Sequence, residues 1–245
     1  MVETSRKRTS RGLGRAQLWL FLIVTVFSTL GACRTVRQAF GGEQWSAPTG
    51  AAASRAGAGG HRGATEPTTI QTTLIDSAHR MVGYNGSSVH VRGRDFPMDC
   101  TGLVLALYYE AGIDLSAEFG AYRGNGVSRL HQYLDDLELL RVQPPPAPGD
   151  LIFWDNTYDR NENQKFDDPL THVGMVVAVD PDGTIHFIHH NYREGAVIVQ
   201  MDLANPHSWE KNVPMRMRGA VPRIENRILA SQLVNAYGQA WRVDP

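Results

Sequence analysis

Leu170-Thr171-His172-Val173-Gly174-Met175-Val176-Val177-Ala178-Val179-Asp180-Pro181-Asp182-Gly183-Thr184-Ile185-His186-Phe187-Ile188-His189-His190-Asn191 reads as two strands and the turn that joins them. The apolar runs Val173 to Val179 and Ile185 to Ile188 have strand length, and Asp180-Pro181-Asp182-Gly183 is hairpin-turn chemistry. Strand side chains alternate faces, so the turn length decides which polar groups stand beside His172. If Asp180 pairs with Gly183 across a two-residue loop, His172 shares a face with Phe187, His189 and Asn191. A three-residue loop instead favours Ile188 and His190. The first arrangement gives His172 a polar neighbour, which predicts His189 as its partner with Asn191 and His190 in reserve.

Around this hairpin the chain carries more strand and helix signals. Pro144-Pro145-Pro146-Ala147-Pro148-Gly149 is rigid punctuation before an apolar strand over Leu151 to Trp154, and Ala196 to Met201 fits a further strand. Helical patterns precede these, over Ile70 to Val82, Cys100 to Ala111 with Gly112 as the stop, and Val127 to Leu137. Ile228 to Trp241 reads as a closing amphipathic helix. Helices followed by an antiparallel sheet predict an α+β fold, with residues 69–224 as the principal domain and residues 225–245 as a C-terminal helix. A domain of that size needs no disulfide.

Cys100 lies in Met98-Asp99-Cys100-Thr101-Gly102-Leu103-Val104, at the start of its helix. A helix N-terminus and a neighbouring imidazole both lower a thiol pKa, which predicts an activated nucleophile there. His172, opening its strand, can face that helix end as a base. A third polar group would then hold the other imidazole nitrogen and fix its tautomer.

Four boxes occur in order: Asp99-Cys100-Thr101-Gly102-Leu103-Val104, Pro148-Gly149-Asp150-Leu151-Ile152-Phe153-Trp154, Thr171-His172-Val173-Gly174-Met175-Val176 and Phe187-Ile188-His189. Together they resemble NlpC-type cell-wall peptidases, which with their CHAP relatives form a papain-like superfamily. The resemblance covers about residues 70–203. It implies a papain-like fold, catalytic Cys100, base His172 and orienting His189, a structural Asp150, no cofactor in catalysis, and hydrolysis of amide bonds in peptidoglycan peptides. Related possibilities are a CHAP-type amidase, an acyl transferase, or an inactive module that binds wall peptide or a protein. Two departures stand out. Thr101 replaces the usual serine, and Gly83-Tyr84-Asn85-Gly86 is only a partial counterpart of the family's Pro-Tyr-x-Trp-Gly-Gly segment, so Tyr84 and Asp99 are secondary site candidates.

Between the Leu151 strand and His172 lies Asp155-Asn156-Thr157-Tyr158-Asp159-Arg160-Asn161-Glu162-Asn163-Gln164-Lys165-Phe166-Asp167-Asp168. Asp159, Asn161 and Asn163, the Lys165 carbonyl and Asp167 follow the first part of an Asp-x-Asn-x-Asn calcium loop, so a structural calcium is expected there. Gln164 stands in the usual glycine place, and Leu170 in that of the bidentate acid.

The N-terminus carries Arg6, Lys7, Arg8, Arg11 and Arg15 before the apolar run Leu18 to Val26, a signal-peptide profile. The run is shorter than the roughly 20 residues of a spanning helix. Leu30-Gly31-Ala32-Cys33 resembles the lipobox of bacterial lipoproteins, which implies lipidation of Cys33 and a signal segment over residues 1–33. Arg34 is not the aspartate of an inner-membrane retention signal, so an outer-membrane destination in the cell envelope is open. Residues 34–68 are small and polar and read as a disordered tether, with a reach of roughly 30 Å. The net charge of -1 argues against a nucleic-acid partner. The expected state is a monomer held to the membrane by its lipid.

Overall fold

The computed structural model describes residues 67–216 and 227–244. Cys33, the signal segment and the tether up to residue 66 lie outside the described residues. In chain order the elements are α1 (Thr69–Met81), β1 (Ser88–Val91), β2 (Arg94–Pro97), α2 (Cys100–Glu110), α3 (Gly126–Asp136), β3 (Leu140–Arg141), β4 (Leu151–Trp154), β5 (His172–Val179), β6 (Ile185–Asn191), β7 (Gly195–Met201) and β8 (Val234–Gly238). Short 3-10 turns occur at Phe119–Ala121, Ala230–Gln232 and Ala240–Arg242. β1 and β2 form a small hairpin, and the main antiparallel sheet runs β3-β8-β4-β5-β6-β7. The fold is α+β, as the order of helix and strand signals predicts. No helix among the described residues is long and apolar enough to cross a membrane.

Local chemistry explains the helix starts. Thr68 caps α1 with a reciprocal capping box, its hydroxyl accepting from the Gln71 N–H at 3.2 Å while Gln71 Oε1 accepts from the Thr68 N–H at 3.0 Å. Asp99 caps α2 by accepting from the N–H groups of Thr101 and Gly102 at 2.9 and 2.7 Å. Residues 102–108 of α2 are all buried, so this helix is apolar around its whole circumference, as a central core helix is. Gly102 is required because a Cβ there would lie 1.7 Å from the Pro97 carbonyl oxygen, where α2 starts against β2.

The sheet is covered on both faces. α1, α2 and α3 pack on one side with Leu103, Leu107, Val173, Met175 and Ile188, while Trp154, Val176, Phe187, Met215, Leu233 and Tyr237 form a second core on the other. Asp150 is fully buried and structural in its contacts, accepting from Arg141 Nη2 at 2.7 Å, the Ala147 N–H at 2.9 Å and Trp241 Nε1 at 2.8 Å.

Two expectations are corrected. Residues 225–245 do not form a helix: within the described part, β8 enters the middle of the sheet between β3 and β4, flanked by 3-10 turns. Its residues are buried from both faces, Ala236 in one core and Tyr237 in the other, so the apolar spacing is not that of a one-sided helix. The domain therefore continues past residue 224. The segment between α1 and α2, to which the sequence patterns assign no element, contains the β1–β2 hairpin.

Candidate active site

The β5–β6 turn has three residues between its closing pair, because the Asp180 N–H donates to the Thr184 carbonyl at 2.9 Å. Gly183 supplies the left-handed position with φ 89°. Near the turn, Val179 faces Ile185 and Ala178 faces His186, the register that a three-residue loop dictates. Beyond an irregularity at Val177, however, Val176 faces Phe187 and Met175 faces Ile188. The extra residue shifts every later pair by one. His172 is thereby returned to the face of Phe187, His189 and Asn191.

The pairing brings His172 Nε2 within 3.0 Å of His189 Nδ1. The rings meet edge-on, and they pack against Trp154 and Phe187 on the same face of the sheet. Gly174 allows the approach, since a Cβ there would lie 2.7 Å from the Ile188 carbonyl oxygen and 3.2 Å from His189 Cβ. His189 is 6% exposed, and its Nε2 has no hydrogen-bond partner among the described residues.

Cys100, His172 and His189 line one cavity of about 610 Å³, together with Asp99, His190 and Asn191. His190 is on the opposite face of β6 from His189. Asn191 Oδ1 accepts from the Arg193 N–H at 2.9 Å, which shapes the turn into β7. Tyr84 does not reach this lining; its hydroxyl donates to the Ser88 carbonyl at 2.6 Å and its own carbonyl accepts from Ala196. The walls also include Asn125, Tyr158, Tyr192 and Arg193, which sequence reasoning missed. Asn125-Gly126 carried a usable signal, as Asn125 caps α3 and Gly126 lets that helix start lie against Thr101.

Burial governs the ionisation. It raises the Cys100 thiol to about 11, with the Asp99 charge adding to the effect and the Val173 N–H opposing it. Burial likewise holds His172 well below the ordinary imidazole value, assisted by His189 and His190, and brings His189 to about 4. The resting site is therefore a neutral thiol beside neutral imidazoles. The thiol shift is opposite to the one expected from a helix N-terminus, because desolvation outweighs the dipole. Asp159, Asn161, Asn163, Lys165 and Asp167 lie together in the loop between β4 and β5, joined to the cavity through Thr157, Tyr158 and Thr171.

A capped helix start, a paired imidazole on a neighbouring strand and a shared cavity define the class of thiol-imidazole sites on α+β scaffolds. Residues 91–191, from the end of β1 to the end of β6, match the CHAP domain family and form a CHAP-like domain. No curated protein matches the chain. A crystal structure described as similar to a lipoprotein of the NLP/P60 family, from Staphylococcus aureus subsp. aureus Mu50, is 22% identical over 55% of this chain, with a TM-score of 0.31. This chain spans 39% of that one.

Proposed function

We propose that this domain is a thiol hydrolase that cleaves amide bonds in the stem peptides of peptidoglycan, carried in the bacterial envelope on a lipid at Cys33. The observation that carries the reading is the 3.0 Å His172–His189 contact inside the cavity that also holds Cys100. With His189 Nδ1 as acceptor, His172 keeps its proton on Nε2 and presents Nδ1 as the free base. The Cys100 proton passes to Nδ1 as Sγ attacks the amide carbonyl. The Cys100 backbone N–H at the helix start serves as an oxyanion donor. His172 then gives the proton to the leaving amine, and a water deprotonated by His172 releases the acid from the thioester.

Proton transfer from thiol to imidazole creates an ion pair whose attraction offsets the desolvation that keeps both groups neutral at rest. His189, itself held neutral, orients the imidazole without adding charge. The raised thiol pKa favours a second reading, a groove that binds wall peptide without cutting it.

Digestion of purified peptidoglycan by the full chain, with Cys100→Ala as control and mass spectrometry of the released fragments, tests both. Cleaved stem peptides from the wild type alone support the peptidase, and glycan freed of stem peptide identifies an amidase. Identical blank traces, with retention of the protein on the wall material, move the assignment to binding.

A further inference from the structure

The loop between β4 and β5 is closed at its base and polar at its tip. The Asn156 N–H donates to the Asp168 carbonyl and the Asp168 N–H returns to Asn156 Oδ1, each at 2.8 Å. The Leu170 N–H meets Asp155 Oδ1 at 2.7 Å, and both the N–H and the hydroxyl of Thr157 reach Thr171 Oγ1 at 2.9 Å. Above this base the chain folds around its own side-chain oxygens. The Asp159 carboxylate accepts from Asn163 and Gln164 N–H groups at 3.2 and 2.8 Å, and Asn163 Oδ1 accepts from the Lys165 N–H at 2.8 Å. The Asn161 and Asn163 amides converge on the Asp167 carboxylate. Gln164 adopts φ 61°, the conformation of the glycine whose place it takes.

These contacts order the loop without requiring a ligand. The feature that does point to one is Asp168. This side chain is fully buried, and among the described residues its Oδ1 accepts only from the Asn161 N–H of the loop at 3.3 Å and its Oδ2 has no hydrogen-bond partner. A desolvated carboxylate oxygen left unpaired is unfavourable, and a cation in the adjoining loop supplies counter-charge. Arg216 makes no hydrogen bond to it: its Nη1 donates to the Asn156 carbonyl, its guanidinium lies 4.9 Å from the Phe166 ring, and its Nε and Nη2 have no partner among the described residues. Among the described residues no three His, Cys, Asp or Glu side chains are gathered to hold a metal. A site here has to use amide and backbone oxygens as well, which are donors suited to calcium rather than zinc.

We propose that the loop binds calcium through Asp159, Asn161, Asn163, the Lys165 carbonyl and Asp167, with Asp168 as the buried charge beneath them. Leu170 supplies no side-chain oxygen, so water completes the coordination, and the affinity falls in the range of about 10⁻⁴–10⁻³ M known for extracellular calcium modules. The bound ion braces the cavity wall, because Thr157 and Tyr158 lead into the loop and Thr171 and His172 leave it. The proposal does not depend on hydrolysis.

Terbium added to the full chain should show luminescence sensitised by Tyr158, adjacent to Asp159, and calcium should displace it. Calcium at about ten times its Kd should raise the melting temperature by roughly 3–6 °C over chelator-treated protein. Asp159→Asn, which keeps a side-chain oxygen for the Asn163 and Gln164 N–H groups, should weaken both responses at least tenfold, and Asp168→Asn should do the same if it folds. A wild-type protein with neither response overturns the proposal, as does an Asp159→Asn protein that titrates like the wild type.

Discussion

The β5–β6 hairpin and the loop that enters it are contiguous at Thr171 and His172, yet they are ordered by opposite means. In the hairpin, Val173, Met175, Val176, Phe187 and Ile188 are fully buried, and the alternation of side chains between two cores holds the register. In the loop, residues 160–165 are exposed, and order comes from side-chain oxygens bonded to nearby backbone N–H groups. A register held by burial is all-or-none, because a slip of one residue exchanges the faces. Order held by separate polar contacts is lost in increments.

The comparison can be broken at Gly174. A Cβ there would lie 2.7 Å from the Ile188 carbonyl oxygen and 3.2 Å from His189 Cβ, so Gly174→Val should force β5 and β6 apart and take His172 away from His189. Hydrolysis is then expected to drop toward the level of Cys100→Ala, on the order of 10³-fold or more, with circular dichroism checking that the sheet persists. An active, folded Gly174→Val variant would show that this close approach does not set the pair.

A smaller effect concerns acid. His172 and His189 are neutral in the folded protein and bind protons more readily when unfolded, so stability should fall as pH drops below the ordinary 6.5 and keep falling to about 4. The His189 contribution amounts to about 3 kcal/mol by the low end of that window. Urea unfolding across pH measures it, and His189→Asn, which keeps an acceptor but cannot protonate, should flatten the profile. Superimposable wild-type and variant curves would remove His189 from the account.

The smallest effect belongs to the loop. Gln164→Gly relieves the left-handed backbone at φ 61° and should stabilise by roughly 1 kcal/mol, a rise of about 2–4 °C in melting temperature. A gain of that size, with peptidoglycan hydrolysis unchanged, sharpens the contrast with the hairpin; a loss of activity would couple the two regions.

Much of the site was legible because it depends on local chemistry. The spacing from Cys100 through Ala111 gives the helix that presents the thiol, and the apolar run from Val173 gives the strand that His172 opens. His189 was the expected partner of His172, but on the assumption of a two-residue turn. The turn has three residues, and the displacement at Val177 restores the face. No local residue preference marks that displacement, since valine suits a regular strand equally well. The direction of the thiol pKa was hidden for a related reason: the cap and dipole are local, whereas desolvation depends on everything packed around Cys100. The strand β8 escaped detection because Leu233, Tyr237 and Trp241 repeat at helical intervals, while their burial is decided by distant partners on β3 and β4.

That late strand has a consequence for biogenesis. Until residues 234–238 are in place, β4 is the open edge of the growing sheet, with its four residues wholly apolar and its backbone donors and acceptors unsatisfied on one side. Any chain interrupted before Val234, by proteolysis or by a premature stop, would present that sticky edge to its neighbours. For this architecture, then, the last of the described strands to be synthesised is also the one that protects the sheet from aggregation.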